Sequence, residues 1–457
     1  MSERVTPLRR GWGERAGPAA RSAPAWRGTV QRRGVALLAV LWVVLVSGLV
    51  LMGVQQVARV HMAGGSHQLG AVQAHWLARA GVEHAMAELA ADLSPADSRL
   101  DYWWDDLTFE RVESPVGTYS LVSPLYDVGQ IGLPRYGVED LAGRLNVNTA
   151  GREQLEALES LDEMHASAIL DWREQTTEAR PGGAGPGYYQ GLAIPYEIRG
   201  GELQTLHELL LVRGIDEELF WGRGGGREAM LYVSETRAAH FAGDPRRAED
   251  LGLWRLATVR SSSPNVGADG QQRLDLSEAS ETDIQSRLNI APELAEAIVE
   301  ARDDEDFDSL FDLEDITAEV ETERGVERME IDLEWIAGRW DDLALSDDEH
   351  LPGRINVNTA LWPVLLTVPG MDEAAADAII SHREGGAGGF ESIGELLLSA
   401  NINEDVFREV AEHLDVRSNT FRITAVGTSN DGVQRQIIAE VDRSGDVPRL
   451  VYWYQSP

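Results

Sequence analysis

The side chains that most often perform chemistry form no recognisable catalytic pattern in this sequence of 457 residues. Four histidines, His61, His67, His75 and His84, lack the spacing of a metal-ligand motif with acidic partners. There is no cysteine, so disulfides and thiol chemistry are excluded. No phosphate-binding loop, Ser-His-Asp arrangement or H-E-x-x-H motif is present. The sequence therefore predicts a protein that is not an enzyme.

Two acidic runs are the remaining candidates for a metal site. They are DDEDFD at Asp303–Asp308 and SDDEH at Ser346–His350. Carboxylate oxygens are good ligands for Ca²⁺, but neither run has the spacing of an EF-hand loop. Each run is interpreted first as a solvated acidic loop, and metal ligands stay unassigned.

An internal repeat is the most informative pattern. Residues 143–174 align without a gap with residues 353–384, at a constant offset of 210. Each copy starts with an N-V-N-T motif, which predicts a short strand followed by a helix. The motif residues are Asn146, Asn148, Thr149, Asn356, Asn358 and Thr359. Threonine is a favourable N-cap, so Thr149 and Thr359 are expected to cap the helices, and the motif is assigned a structural role.

A third copy is predicted to be partial. The spacing A-x-A-I-x-x-x-R occurs in both aligned copies and again within Leu294–Arg302, where the preceding strand is expected to be missing. Capped helix starts are expected downstream of the copies, at Thr205, Ser309 and Ser392. This order of helix, short turn, helix and capped helix resembles helix-hairpin-helix modules. The arginine that ends each spacing is interpreted as a cap or a surface ion pair.

The hairpin turns argue against nucleic-acid binding. Helix-hairpin-helix modules that bind DNA donate backbone N–H groups to phosphate from a glycine-rich turn flanked by basic residues. Here the turns carry Asp162, Glu163, Glu293, Asp372 and Glu373, and only the last turn keeps a glycine. Like charges repel, and the net charge of the chain is −36. The modules are predicted to pack within the protein, with a membrane-tethered DNA receptor of the competence type as the alternative.

The uncharged stretch Gly34–Val54 is long enough to span a membrane, which takes about 20 apolar residues. Before Gly34 lie eight arginines and two glutamates, a net charge of +6, which leaves −42 for the rest of the chain. The positive-inside rule then predicts a cytoplasmic N-terminus and an exported body. A plain signal anchor and a cleaved secretory signal are the alternatives. Helical spacing continues over Gln55–Leu93, and Gly64-Gly65 is a point at which such a helix can kink or break. The continuity of the spacing predicts one long helical stalk rather than an ordinary juxtamembrane helix.

Strand-like segments lie on both sides of the helical middle. Residues 118–124 and 144–148 precede it, and a meander is predicted over 420–427, 433–441 and 450–454. We therefore predict an α+β fold whose antiparallel sheet is split by a large helical insertion. The predicted divisions are 1–34, a basic cytoplasmic leader; 35–93, a transmembrane and amphipathic helix; 94–150, the first part of a pilin-like β domain; 151–353, an insertion with two helix-hairpin-helix-like units; 354–417, a strand and a third such unit; and 418–457, the C-terminal β meander.

Taken together, these features resemble the minor pseudopilin K of type II secretion systems, the general secretion pathway protein K family. The resemblance rests on the leader ending at Gly34, on WLARAGVEHA at 76–85, on both N-V-N-T motifs, on Asp171-Trp-Arg and on LLLVRG at 209–214. It implies that a prepilin peptidase cuts after Gly34 and that Val35 becomes the methylated N-terminus. It also implies an inner-membrane protein with a periplasmic body, at the tip of a pseudopilus.

One departure from ordinary pilins concerns the fifth mature residue, Ala39, where most pilins carry a glutamate that neutralises the N-terminal amine of an adjacent subunit. An unpaired buried charge is costly, so the absence of this glutamate suits a subunit with no neighbour above it. The resemblance implies minor pseudopilins of the I and J types as partners through the N-terminal helix, secreted substrates, and bound Ca²⁺ without assigned ligands. A minor pilin of a type IV pilus is a further alternative. Residues 237–352 form a longer segment than the family predicts.

Overall fold

The structure is a computed structural model that describes residues 33–123, 135–174, 178–223, 244–322, 325–385, 388–445 and 447–455. The chain divides into two units, Met1–Gly65 and Ser66–Pro457. In the first unit, the described residues form an apolar helix. The second unit contains the sheet and the helical hairpins, which together confirm the predicted α+β fold class.

The described helices and strands are numbered in chain order. The helices are α1 (Arg33–Ala91), α2 (Asp106–Phe109), α3 (Arg152–Ala157), α4 (Glu163–Arg173), α5 (Pro186–Gln190), α6 (Glu217–Trp221), α7 (Ala248–Leu251), α8 (Leu253–Leu256), α9 (Glu281–Leu288), α10 (Pro292–Asp304), α11 (Leu333–Ala337), α12 (Trp362–Leu365), α13 (Glu373–Glu384), α14 (Glu395–Leu398) and α15 (Glu404–Val410). The strands are β1 (Val112–Ser114), β2 (Gly117–Ser123), β3 (Arg135–Tyr136), β4 (Glu139–Asp140), β5 (Leu145–Asn146), β6 (Ala257–Thr258), β7 (Ser262–Pro264), β8 (Leu274–Asp275), β9 (Thr317–Thr322), β10 (Gly325–Glu330), β11 (Leu343–Ala344), β12 (His350–Pro352), β13 (Ile355–Asn356), β14 (Leu414–Asp415), β15 (Thr420–Ser429), β16 (Gln434–Asp442) and β17 (Arg449–Gln455). Short 3-10 helices cover Tyr102–Trp104, Leu206–Leu211, Leu310–Leu313, Trp340–Asp342 and Ala411–His413.

The main sheet joins strands from the beginning and the end of the second unit, which is called the body below. Its order is β1-β2-β15-β16-β17, with β3 beside β2 and β4 beside β15, and all of these pairs are antiparallel. Ala425 at the centre of β15 lies opposite Leu121 on one side and Ile437 on the other. Strands from opposite ends of the body therefore share a ladder, which confirms the predicted split sheet and its C-terminal meander.

The sheet packs against the part of α1 that belongs to the second unit. Ala74, Leu77, Ala78, Val82, Ala85 and Leu89 are buried on this face, at helical spacing. The approach is so close that a Cβ atom at Gly427 would lie 2.0 Å from the carbonyl oxygen of Ala74. Only glycine fits at that point of β15. The helix is continuous through Gly64 and Gly65, as predicted for one long helix.

The insertion between β4 and β15 contains helical hairpins and short parallel strand pairs. Each hairpin is preceded by a two-residue strand that pairs in parallel with a strand further along the chain. These pairs are β5 with β6, β8 with β11, and β13 with β14. The antiparallel pairs β7–β12 and β9–β10 lie in the same region. The predicted strand at 144–148 is thus shorter than expected and, among the described pairings, lies outside the main sheet.

Candidate functional site

The apolar beginning of α1 is the first candidate for a functional surface. An 18-residue window within Val35–Ala91 has a mean hydropathy of 2.9 and none of it is buried. Val35 lies at the start of the helix with 71% of its surface exposed, and Ala39 is exposed one turn later. Gly34, the predicted processing residue, lies in the first turn. By length and composition this helix can cross a membrane.

A second surface lies on α1 within Ser66–Ala91. Leu69, Val72 and Trp76 are each more than half exposed, on a face other than the one that packs on the sheet. Their spacing of three and four residues places them in one stripe. Arg79 extends this stripe, with its guanidinium carbon 5.5 Å from the centre of the Trp76 ring. An apolar stripe that the fold leaves open is typical of a surface that contacts another protein.

The first N-V-N-T motif connects β5 to two distant segments. Asn146 Oδ1 accepts a hydrogen bond from the backbone N–H of Asn148 at 3.0 Å. The Asn148 side chain accepts from the N–H of Leu203 at 2.9 Å and donates to the carbonyl of Leu203 at 2.9 Å. It also donates to the carbonyl of Val259 at 2.9 Å. Leu203 lies just before the 3-10 helix Leu206–Leu211, which is the third helical segment of this copy. One amide side chain therefore holds the start of that segment beside strand β5.

The last N-V-N-T motif repeats this geometry. Asn358 N–H donates to Asn356 Oδ1 at 2.9 Å, and the Asn358 side chain exchanges two hydrogen bonds with the backbone of Phe390, at 2.7 and 2.9 Å. Here Asp140 is added from β4, accepting from Asn356 Nδ2 at 2.8 Å and from Thr359 Oγ1 at 2.6 Å. The motif thereby links the hairpin to the main sheet.

The two threonines do not cap helices, so that prediction was wrong. The N-cap positions of α3 and α12 are Gly151 and Leu361. Thr149 Oγ1 instead donates to the carbonyl of Asn146 at 3.3 Å, and Thr359 Oγ1 bonds to Asp140. The chain continues past the motif before it enters the helix, which moves each threonine out of capping range.

The middle copy has a strand, so the prediction that it lacks one was also wrong. Strand β8, Leu274–Asp275, pairs with β11. Asp275 Oδ1 accepts from the backbone N–H of Ser277 at 3.0 Å, as Asn146 does from Asn148. The signal was present in the sequence, because RLDL at 273–276 precedes Arg302 by the same interval at which RLNV at 144–147 precedes Arg173. Aspartate and serine in place of asparagine concealed it.

The middle copy differs in how it holds its third helical segment. The Ser277 side chain is shorter than asparagine and does not reach the backbone of the third helical segment. Its hydroxyl donates instead to Asp275 Oδ1 at 2.7 Å. Among the described residues, no hydrogen bond joins Ser277 to Phe307, the position that corresponds to Leu203 and Phe390. Leu203 and Phe390 are fully buried, whereas Phe307 is half-buried.

The arginine that ends each A-x-A-I-x-x-x-R spacing ties its helix to the motif loop. Arg173 Nη1 donates to the carbonyl of Val147 at 2.8 Å, and Arg302 Nη1 donates to the carbonyl of Ala279 at 2.7 Å. Arg383 donates to two carbonyls of its loop, at 2.6 and 2.7 Å. These arginine braces hold their helices to the motif loops, a role that the sequence analysis did not predict. The predicted surface ion pair is present beside it for Arg302, 3.1 Å from Asp303, and for Arg173, 4.0 Å from Glu174.

The acidic hairpin turns have a structural explanation. Asp162 Oδ1 accepts from the backbone N–H of His165 at 3.0 Å, and Asp372 Oδ1 accepts from the N–H of Ala375 at 2.7 Å. Each aspartate is the N-cap of the second helix of its hairpin. These N–H groups are therefore already occupied by carboxylates and are not presented to a phosphate.

Among the described residues, one carboxylate cluster has the spacing for a metal, and it was missed in the sequence. Oxygens of Asp92, Asp97 and Asp101 lie within 4.8 Å of one another, whereas neither predicted acidic run forms such a group. Arg443, however, lies 2.5 Å from both oxygens of Asp97 and 3.2 Å from Asp92. Burial raises the pKa of Asp97 to about 7, against the opposing charge of Arg443. Since Ca²⁺ takes about six to eight oxygen ligands, a site already holding a guanidinium does not fit it.

Comparison with known proteins gives two family matches. Residues 143–221 match the family described as type II secretion system (T2SS), protein K, and residues 353–415 match the helix-hairpin-helix motif. None of the curated protein sequences compared with this chain matches it. A chain in the crystal structure of the GspK-GspI-GspJ complex from the enterotoxigenic Escherichia coli type 2 secretion system is 12% identical, with a TM-score of 0.46 over 87% of this chain and 99% of that chain.

The protein K match within residues 143–221 confirms that the chain resembles the pseudopilins, the pilin-like subunits of secretion systems. Within that class, the likeness is to the minor pseudopilin K of the type II secretion system. The helix-hairpin-helix assignment of the C-terminal region is confirmed as well. The protein K match covers the first motif, its hairpin and the segment held by Asn148.

Proposed function

We propose that this chain is a non-enzymatic minor pseudopilin that occupies the tip of a type II secretion pseudopilus and takes part in protein export across the outer membrane. The observation that carries the proposal is the protein K match within residues 143–221. The exposed apolar helix supports it, because a pseudopilin needs a membrane anchor. The proposed divisions of the chain remain those drawn from the sequence, from the leader at 1–34 to the meander at 418–457.

The proposed location is the inner membrane, crossed once, with the N-terminus in the cytoplasm and most of the chain in the periplasm. The arginine-rich leader supports this orientation. Prepilin peptidase would cut after Gly34, and Val35 would become the methylated N-terminus.

Processing is tested by Gly34→Ala in the full chain, co-expressed with a prepilin peptidase in a secreting host. We expect the N-terminus to remain uncut, as read by mass spectrometry, and secretion to stop. Gly48→Ala is the matched control, because a Cβ at Gly48 meets nothing within 4 Å and the residue lies in the same helix. Normal secretion by the Gly34→Ala variant would contradict the proposal.

The tip position is tested at Ala39. A glutamate there would lack the amine of a neighbouring subunit above it, so Ala39→Glu is expected to lower incorporation and secretion without blocking cleavage. Ala39→Val is the control for size. A glutamate variant that assembles and secretes normally would remove the argument for the tip.

The proposed partners are minor pseudopilins of the I and J types, bound along α1. The stripe of Leu69, Val72 and Trp76 supports this, since the fold leaves these side chains exposed. Trp76→Ala is expected to reduce co-purification with the other subunits at least tenfold, since large aromatic residues dominate interfaces. Leu107→Ala is the control, because Leu107 is 91% exposed and lies off this helix. Equal recovery with both variants would place the partner surface elsewhere.

The helical insertion is proposed to face secreted substrates.

The DNA-receptor and type IV pilus alternatives are not favoured. In the first and last hairpins, a capping aspartate occupies a backbone N–H group that DNA would need. A gel shift of the full chain at low salt is expected to show no complex with duplex DNA, whereas a salt-sensitive shift would revive the DNA receptor.

A further inference from the structure

The main sheet ends in a long edge strand, β17, which is open on its outer side. Among the described strands, β17 pairs with β16 alone. It carries three partly exposed apolar side chains, Leu450, Val451 and Trp453, with 45%, 37% and 39% of their surface exposed. The unpaired backbone groups of an edge strand are a template for the addition of a further strand.

Two other edges in this chain are protected in the ways that natural sheets use. Strand β1, at the opposite edge of the main sheet, has three residues and is followed at once by Pro115. All six residues of β10 are exposed, and three of them are charged, Glu327, Arg328 and Glu330. Short length, proline and charge each discourage pairing with another chain. Strand β17 has seven residues, no proline within it and one charged residue, Arg449.

The hydrogen bonds between β15 and β16 show which way the backbone of β16 points. The N–H of Ser429 donates to the carbonyl of Val433 at 2.9 Å, and the N–H of Arg443 donates to the carbonyl of Asn419 at 2.8 Å. The register between β15 and β16 is unbroken, so the odd-numbered residues of β16 direct their backbone groups toward β15. The even-numbered residues of β16 therefore direct theirs toward β17.

In β17, alternate backbone groups point away from the sheet. Glu440 of β16 lies opposite Tyr452, so Tyr452 directs its N–H and carbonyl toward β16. Backbone direction alternates along a strand, so those of Trp453 and Gln455 point outward. The register with β16 shifts between Glu440 and Val441, and the regular part of the edge begins at Tyr452. Two residues thus each offer a donor and an acceptor to a strand beside β17.

The charges of this edge define the strand that it can accept. Residues 447–457 contain no carboxylate, although the net charge of the chain is −36. The side chain of Arg449 already lies 3.5 Å from Asp442. The edge is therefore neutral and largely apolar. Aromatic side chains pair favourably with β-branched ones on a neighbouring strand, so an uncharged strand rich in such residues is the best match.

We propose that β17 binds the uncharged edge strand of a second protein that has a folded sheet of its own. A preformed strand suits this edge better than a flexible segment, because ordering one flexible residue costs about as much as one backbone hydrogen bond returns. Two cavities lie in the insertion, one of about 290 Å³ beside Arg354 and one of about 360 Å³ beside Arg223. Neither includes a residue of β17, so neither supplies a side-chain pocket to this edge.

A second copy of this chain is a poorer match. Antiparallel pairing of two β17 strands turns the second copy by half a turn in the plane of the sheet. Helix α1 lies along this sheet, since a Cβ at Gly70 would be 2.9 Å from Val433 and one at Gly81 would be 3.0 Å from Leu121. Half a turn therefore reverses the direction of α1. Two chains anchored in one membrane through α1 do not pair in this way, a step that rests on the proposed function.

The test uses a cyclic β-hairpin peptide whose outer strand alternates threonine and valine, since cyclisation preforms the strand. Hydrogen exchange of the full chain in detergent is followed by mass spectrometry with fragmentation to single residues. We expect the peptide to slow exchange at the Trp453 and Gln455 amides at least tenfold and to leave exchange over β10 unchanged. The same hairpin with N-methyl groups on its outward amides is expected to have no effect, because it lacks the donors.

Unchanged exchange at both amides with millimolar hairpin, or equal slowing over β10 and β17, would overturn the proposal. A dimer of the chain alone in light scattering, abolished by Trp453→Lys, would assign the edge to a second copy and overturn the choice of partner. The probe reports on this edge alone. Its failure therefore leaves the Gly34 processing and secretion tests of the proposed function unaffected.

A backbone variant locates the binding site. Because the N–H of Gln455 points outward, Gln455→Pro removes a donor to the partner strand and none to β16. We expect the affinity for the hairpin to fall at least fivefold. Gln455→Ala is the matched control, which keeps the N–H and should bind within twofold of wild type. Circular dichroism checks that both variants fold, and unchanged affinity in a folded Gln455→Pro variant would show that the hairpin binds elsewhere.

Discussion

The outer copies of the repeat and the middle copy share one backbone plan but differ at a single anchoring side chain. Asn148 and Asn358 each exchange two hydrogen bonds with a backbone position in the third helical segment. Ser277 stands at the same place in the middle copy and reaches only Asp275. The corresponding segment starts at a half-buried Phe307 instead of a fully buried residue.

The difference shows that the hairpin of each copy and the attachment of its third helical segment depend on different residues. All three copies have the hairpin, whose two helices pack through buried alanine and isoleucine positions. All three also have an arginine that donates to one or two carbonyls of the motif loop. Closure of the third segment depends on an amide that can donate and accept at once. The Ser277 side chain does not reach the backbone of Phe307, so other contacts hold the third helical segment of the middle copy.

The largest expected effect is that of Asp415→Asn, because Asp415 joins the middle copy to the last one. Its carboxylate pairs with Arg273 and Arg354, and the variant leaves both without that charge. We expect a loss of about 3–5 kcal/mol in the free energy of unfolding, measured from urea midpoints of the full chain in detergent. A loss below about 1 kcal/mol would show that the two copies are held together by packing alone.

The effect of Asp415→Asn should depend on pH in one direction. Burial alone raises the pKa of Asp415, but Arg273, Arg354 and Arg417 outweigh it and hold that pKa below its ordinary value of 3.8. A lowered pKa in the folded protein means that the stabilisation is present above the unfolded value and is lost as pH falls through the folded value. The difference from wild type should be constant above about pH 5 and shrink below it.

Asn358→Ala tests the closure of the last copy. The variant leaves the backbone N–H and carbonyl of Phe390 buried and unpaired, at an expected cost of about 2–4 kcal/mol. Hydrogen exchange at the Phe390 amide should accelerate by a factor of about 30 or more, since about 1.4 kcal/mol corresponds to a factor of ten. Ser277→Ala is the matched control and should leave exchange at Phe307 almost unchanged. Similar acceleration in both variants would contradict the distinction between the copies.

The arginine braces are predicted to act alike in the two kinds of copy. Arg302→Gln removes the hydrogen bonds to the carbonyls of Leu276 and Ala279, at an expected cost of about 1–2 kcal/mol. Arg383→Gln in the last copy should cost a similar amount. Urea midpoints of the two variants give the loss in the free energy of unfolding for each. A difference above about 2 kcal/mol between the two losses would show that the arginine contributes unequally to the two hairpins.

The smallest expected effect is a gain. Ser277→Asn gives the middle copy the side chain that the outer copies carry at the corresponding position, Asn148 and Asn358. We expect slower hydrogen exchange at Phe307 and a gain of about 0.5–1 kcal/mol. Ser277→Gln controls for polarity without the right length. No change in exchange would show that the backbone around Phe307 lies out of reach.

Sequence patterns predicted most of the fold. The split sheet, the C-terminal meander, the apolar helix and the helical hairpins follow from periodicity, turns and an internal repeat, all of which are local signals. The strand of the middle copy was missed because aspartate and serine replace the two asparagines. The capping role of Thr149 and Thr359 was misjudged because helix boundaries shift by about one or two residues without any change in the hydrophobic pattern.

The candidate functional surfaces divide in the same way. Gly34, Val35 and Ala39 are identified by their order along the chain, and their proposed roles await the processing and assembly tests. The arginine braces and the exposed stripe on α1 needed the structure, because the same residues suit a surface ion pair or a buried face equally well.

The sequence by itself determined where apolar, charged and turn-forming residues recur, and therefore the membrane-length helix, the copies of the hairpin and the strands at both ends of the body. Only the tertiary structure decided which distant groups meet. It placed Asp140 on the last motif, Asp415 between two arginines, and Arg354 beside a cavity. The physical reason is that hydrogen bonds and ion pairs are short-ranged and directional, so they depend on how segments far apart in the chain are brought together.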